Sequence, residues 1–213
     1  MNTDLIMTGH LIEYQGISIY KNGSPLFTGF DFSVSPGEKV LILGRSGTGK
    51  TTLFRMLLGF ETPDSGDVLF NRLPVTKAHI RDIRQQVFYL SQDIDLRHEP
   101  VSGLIEEIME ENRLNMPEDD TLDRYITLLE LDRGILNQNV KDLSGGERQR
   151  TGLLICFLLD RPVWLLDEPT SALDDLMKQK IADYILDRDK TVLVISHDDV
   201  WKTNQNMIVR EVG

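Results

Sequence analysis

Gly44, Gly49, Lys50 and Thr51 stand at the spacing G-x-x-x-x-G-K-[ST], and each residue type in that pattern has a physical task. Glycines let the chain curl until successive backbone N–H groups point inward at phosphate oxygens, with no Cβ in the way. A helix starting there adds its free N–H groups and the positive end of its dipole, which favour an anion. Lys50 can reach β- and γ-phosphates, and the Thr51 hydroxyl can ligate Mg²⁺. A second piece is VWLLDEP, where the apolar run Val163 to Leu166 ends at Asp167 and Glu168. Ligands bind at the carboxyl ends of strands in open α/β sheets. One carboxylate there can hold Mg²⁺ through water, and a second can polarise an attacking water. Acidic strand ends are common, so it is the phosphate loop that gives this pair its meaning. In LSGGERQR, Ser144 and two glycines expose a hydroxyl and N–H groups before a helix. Glu147, three residues on, would also complete an ordinary capping box.

These pieces need elements to hold them. KVLILG, before the loop, reads as a strand, and GKTTLFRMLLGF as a helix with Gly59 near its end and Pro63 beyond. LIEYQGISIY and LFTGFDFSV are short, rich in Ile, Phe and Tyr, and bounded by Gly and Pro, as strands are. DVLFN, QVFYLSQ, VWLLDEP and TVLVISHDD are further strands, the last being the final one. ERQRTGLLICFLL and ALDDLMKQKIADYIL are helical. From about Asp93 to Asp142 the texture changes: VSGLIEEIMEENRL and TLDRYITLLELDRGIL have helical periodicity and acidic faces, with no strand between them. The order predicts an α/β body with a mainly parallel sheet and an inserted helical lobe.

Composition limits what such a site could serve. The chain has 213 residues, 40% hydrophobic and 27% charged, which excludes a disordered chain. Its 23 Lys and Arg against 34 Asp and Glu give a net charge of -11. Nucleic acid or an anionic membrane would be repelled unless a local basic patch overcame that field, and no Lys/Arg run is long enough. No stretch approaches the roughly 20 consecutive apolar residues of a membrane span. The first residues lack a basic region followed by an apolar core, so no secretory signal is expected. A single cysteine, Cys156, fits a reducing compartment, and its apolar helix makes it a core residue. The four histidines, at 10, 79, 98 and 197, have no metal-site spacing.

Leu143, Ser144, Gly145, Gly146 and Glu147 resemble the signature of the ATP-binding cassette family, the ATPase subunits of ABC transporters. The remaining family elements follow in order. Gln92 ends VFYLSQ as the Q-loop glutamine does, Ser171 to Asp174 match the D-loop, and His197 follows TVLVIS as the switch histidine. Tyr20 is near where the family places an aromatic that stacks on adenine. The resemblance covers essentially the whole chain. One departure lies in TGLLICFLLDRP, where Ile155 stands in place of an expected arginine and puts helix packing in question.

The resemblance implies a P-loop NTPase core with an antiparallel β layer. Body segments 1–92 and 151–213 would flank a helical subdomain at about 93–150. It implies ATP and Mg²⁺ as ligands, and a head-to-tail homodimer that sandwiches two ATP molecules. Gly44, Arg45, Ser46, Gly47, Thr48, Gly49, Lys50, Thr51 and Thr52 would cradle phosphate. Thr51 and Gln92 would ligate Mg²⁺ with Asp167 behind. Glu168 would activate water, His197 would contact the γ-phosphate, and Ser144, Gly145 and Gly146 would close the partner's site. A transmembrane permease subunit would dock around Asp93 to Glu99, placing the chain in the cytoplasm, peripheral on the inner face of the membrane. The chain ends soon after His197, so no appended regulatory domain is expected. NQNVKDLSGGERQR and RQQVFYLSQ look most like small cassettes of metal or iron export. Rival readings are small-solute or lipoprotein/peptide transport, a soluble cassette ATPase outside transport, and a nucleotide-dependent regulator with little turnover.

Overall fold

The computed structural model describes residues 9–21, 23–92 and 99–212. The first half carries β1 (Ile12–Lys21), β2 (Ser24–Val34), β3 (Lys39–Leu43), α1 (Lys50–Leu57), β4 (Ser65–Phe70), β5 (Leu73–Pro74), α2 (Ile80–Gln86) and β6 (Val87–Leu90). The helical segment follows with α3 (Val101–Glu111), α4 (Asp119–Leu128) and two short 3₁₀ turns, then α5 (Gly145–Leu159). The chain returns through β7 (Val163–Asp167), α6 (Asp175–Leu186), β8 (Thr191–Ile195), α7 (Asp199–Lys202) and β9 (Ile208–Glu211).

Two sheets result. One is antiparallel in the order β2-β1-β4-β5; the other runs β6-β7-β8-β3-β9 with every pair parallel. Period-2 alternation divides the parallel sheet between two cores. On one face Trp164, Leu166, Val192 and Val194 meet α5 and α6 and continue into α3 and α4. On the other, Val163, Leu165, Leu193 and Ile195 meet α1 and the antiparallel sheet through Phe54, Leu57, Ile17 and Tyr14. Each such side chain gains about 1.5–3 kcal/mol on burial. The central strands are buried on both faces, which fixes them as a rigid floor with their carboxyl ends at one edge.

Local chemistry sets the element ends. At α1 the Gly59 N–H reaches the Met56 carbonyl at 3.0 Å and the Phe60 N–H reaches Arg55 at 2.8 Å. Gly59, at φ 66°, is the left-handed residue that this Schellman closure requires. From Leu153 on, α5 is apolar on nearly every side, and Ile155 is 6% exposed. The missing arginine is therefore replaced by ordinary core packing. Cys156 is buried in the same helix, and burial pushes its thiol well above its usual range.

Four elements go beyond the sequence expectation. TVLVIS is not the last strand, since β9 pairs with the edge of β3; α2, the four-residue α7 and the two-residue β5 were not expected either. All four are short, and β9 has exposed residues over most of its length, so neither periodicity nor burial marks it.

Candidate active site

The loop from β3 to α1 crosses the carboxyl edge of the parallel sheet. Gly44 has φ 155°, and a Cβ there would lie 2.2 Å from the Val212 carbonyl oxygen. Gly49 has φ 94°, and a Cβ would lie 2.8 Å from the side chains of Leu26 and Phe27. Glycine is thus required for close approach as well as for backbone conformation. No side chain caps α1 at Gly49, which leaves the helix start to a ligand. Lys50 is 8% exposed and curls back over the loop, its Nζ donating to the carbonyls of Gly44 (2.8 Å) and Arg45 (2.9 Å).

Across the sheet edge, the Thr51 hydroxyl donates to Asp167 Oδ2 at 2.6 Å, joining the phosphate loop to the end of β7. Asp167 is nearly fully buried, and Glu168 follows it at φ 51°. The Glu168 N–H donates to the Ile195 carbonyl at 2.8 Å, and its Oε1 lies 3.9 Å from His197 Nε2. These groups line one cleft of about 550 Å³ that also takes in Ser46, Gly47, Thr52 and Gln92. Lys21, Leu26 and Glu61 line it too, and sequence reading had not singled them out. Glu61 pairs with Lys21 and with Arg55, the latter at 3.0 Å. Burial raises its pKa, but the two hydrogen-bonded cations outweigh that and hold it below the usual range. No motif marks these residues; only the turn after α1 brings them together.

A buried polar network supports His197 from below. The Thr170 hydroxyl donates to Asp198 Oδ2 at 2.6 Å and accepts from Trp201 Nε1 at 3.0 Å. Lys178 Nζ donates to Asp198 Oδ1 at 2.6 Å. Burial would raise the Asp198 pKa, yet the bonds from Lys178 and Thr170 win and hold it below its ordinary value. The residue after the histidine is thereby anchored to α6, α7 and the turn after β7.

Ser144, Gly145 and Gly146 do not line this cleft. Ser144 caps α5 in a full capping box: the Glu147 N–H reaches its hydroxyl at 3.3 Å, and Glu147 Oε2 accepts from the Ser144 N–H at 2.9 Å. The Ser144 hydroxyl also donates to Glu147 Oε2 at 2.6 Å, and that bond, with the one from the Ser144 N–H, holds the Glu147 carboxyl below its usual range. Capping leaves Gly145 in open space, where a Cβ would meet nothing within 4 Å. Tyr20 also stands outside the cleft lining; its 53% exposed side chain sits on β1 just before Lys21. The docking segment expected at Asp93 to Glu99 lies, except for Glu99, outside the described residues.

A phosphate loop at the carboxyl edge of a parallel sheet, faced by a Thr–Asp contact and a Glu–His pair, defines a P-loop nucleoside triphosphatase. Residues 27–171 match the family model for the ABC transporter, and the chain belongs to that family as its ATPase cassette. It is 34% identical over 183 residues to the ATP-dependent lipid A-core flippase of Bordetella pertussis, covering 78% of this chain. It spans only 28% of that relative's length. It is 28% identical to the probable ABC transporter ATP-binding protein p29 of Mycoplasma pneumoniae, over 90% of this chain and 84% of the relative. A solved dimeric bacterial ABC transporter cassette superposes with a TM-score of 0.81 at 23% identity, covering 94% of both chains. Among the described residues, no helix is long and apolar enough to cross a membrane.

Proposed function

We propose that this chain binds MgATP, hydrolyses it as a head-to-tail pair with a second copy, and drives a transmembrane subunit that carries the transport path. The observation that carries the reading is the Thr51–Asp167 bond at 2.6 Å, which sets Lys50, Glu168 and His197 around one cleft. A polyphosphate seated there would take the Lys50 ammonium from the loop carbonyls that now hold it. The uncapped start of α1 and the loop N–H groups would receive the remaining phosphate oxygens. The Thr51 hydroxyl, the Asp167 carboxylate and the Gln92 amide oxygen are hard oxygen donors and fit Mg²⁺. That ion would supply charge neutralisation on the phosphates. Glu168 would accept the proton of the attacking water as its oxygen bonds to the γ-phosphorus and the bond to the ADP oxygen breaks. His197, whose Nε2 lies 3.9 Å from Glu168 Oε1, would contact the γ-phosphate. Tyr20, with its ring exposed next to the cleft residue Lys21, would offer a π-face to adenine.

Support for pairing comes from Ser144 to Gly146. They present an exposed, capped helix start outside the chain's own cleft, so a second copy is needed for them to meet a nucleotide. Transport is supported by the family and by the names of the relatives. A regulator with little turnover would have no use for the Glu168–His197 pair. The relatives named above include a lipid A-core flippase and no metal exporter, so the metal or iron cargo has no support. Lys50→Ala tests the nucleotide site. Calorimetric titration should show MgATP affinity falling at least about 100-fold, consistent with loss of a charge-assisted contact. Affinity near that of the wild type would remove the site.

A further inference from the structure

The amide of Gln149 is 8% exposed, and every polar atom of it is engaged by one short stretch of chain. Nε2 donates to the Glu168 carbonyl at 2.6 Å and to Ser171 Oγ at 3.2 Å, while Oε1 accepts from the Ala172 N–H at 2.9 Å. Buried amides are normally satisfied, but the choice of partners here is specific: all three lie in residues 168–172. Glu168 has φ 51°, a conformation that costs a non-glycine residue about 1–2 kcal/mol. Pro169 restricts it further from behind. Such a conformation persists only where its surroundings hold it. The Glu168 N–H is held by Ile195 from the sheet, and its carbonyl by Gln149 from α5, with Ser171 Oγ adding a bond at 3.1 Å. One turn earlier on the same face of α5, a Cβ on Gly146 would lie 3.1 Å from the Ala172 carbonyl oxygen. The first two turns of α5 therefore grip residues 168–172 at both ends.

We propose that Gln149 is a positioning residue for Glu168: it fixes the backbone of the base from the helix whose start carries Ser144 to Gly146. The proposal rests on the hydrolytic reading given above. Its consequence is directional. A second copy that engages the start of α5 pushes on a rigid helix, and one turn later that helix holds the base in place. Nucleotide capture at one site thus reaches the base of the other through the Gln149 amide and its partners in residues 168–172.

The test uses the full chain with Gln149→Met, which keeps the volume and removes all three bonds. Gln149→Glu is the second variant; it can still accept from Ala172 but cannot donate to Glu168. Both should keep MgATP affinity and KM within about twofold of the wild type, and kcat should fall about ten- to a hundredfold, as for a small misplacement of a catalytic group. Amide hydrogen exchange at Ala172 should quicken in Gln149→Met whether or not ATP is present. A folded Gln149→Met or Gln149→Glu that turns over within threefold of the wild type overturns the proposal, as does unchanged amide exchange at Ala172. A wild-type chain that binds MgATP and never hydrolyses it refutes the hydrolytic reading instead, so the two failures are separate.

Discussion

At the scale of residues, two acids beside the site, Glu61 and Asp198, have their charge held by neighbouring cations. Asp198 shows this most directly. Its depressed pKa means the folded state binds its proton more weakly than the unfolded state does. Its contribution to stability is fully present above the unfolded value of about 3.9 and is lost as pH falls through the lower folded value. Lys178 is shifted the other way, chiefly by its hydrogen bond to Asp198, so its contribution is present below its ordinary value and lost as pH rises beyond it. Between about pH 5 and 9 the pair should add a constant increment. Asp198→Asn removes the charge and gives Thr170 a donor where it had an acceptor. Urea unfolding at pH 7 should show a loss of about 1.5–3 kcal/mol, the range for hydrogen bonds to charged groups. The gap to the wild type should narrow as pH is lowered from 5 toward 3. A gap independent of pH would show that charge is not what Asp198 contributes. Turnover should fall as well, since His197 is the adjoining residue.

At the scale of elements, the phosphate loop gives a graded experiment because its glycines are required for different reasons. Gly47 has φ 82° with nothing within 4 Å of a Cβ, so Gly47→Ala meets only the backbone cost. That cost is about 1–2 kcal/mol, a fall of roughly 2–8 °C in Tm for a chain of this size. Gly49→Ala adds contact with Leu26 and Phe27, side chains that can give a little. Gly44→Ala drives a Cβ into the Val212 backbone, which is held to Leu43 by a 2.8 Å bond. Melting temperatures should therefore fall in the order Gly47→Ala, Gly49→Ala, Gly44→Ala, with the last the most damaging. An equal fall for all three would mean that conformation alone sets the requirement. Much of this element was legible in the sequence because a phosphate loop needs particular residue types at fixed spacing. The strands and helices with strong apolar periodicity were legible for the same kind of reason. Gln149 was not, since a glutamine in LSGGERQR has the same composition whether it faces water or clamps a backbone carbonyl. The left-handed Glu168 was equally hidden, because Asp-Glu-Pro carries no glycine to announce a positive φ. Lys21 and Glu61 enter the cleft only through the way β1 and the turn after α1 pack. No periodicity encodes that meeting.

At the scale of the whole molecule, the proposed reading divides one reaction between two surfaces. Lys50, Asp167 and Glu168 face one cleft, and Ser144 to Gly146 lie outside it, so a single copy cannot bring both to one ATP. Specific activity should accordingly rise with protein concentration in the dilute range. Both copies carry a net charge of -11, and ATP adds more negative charge. The closed pair should persist only while the γ-phosphate is held between them. Glu168→Gln keeps size and hydrogen bonding but cannot accept a proton. That variant should bind MgATP, fail to turn over, and accumulate as an ATP-dependent dimer in size exclusion with light scattering. Adding Ser144→Arg places bulk and charge where the partner's nucleotide must sit, and also removes the hydroxyl that caps α5. The dimer should disappear while MgATP binding to the single copy stays within a few fold, because the cleft lies elsewhere. Sustained turnover in Glu168→Gln would remove Glu168 as the base. A dimer that survives Ser144→Arg would place the interface on another face of the molecule.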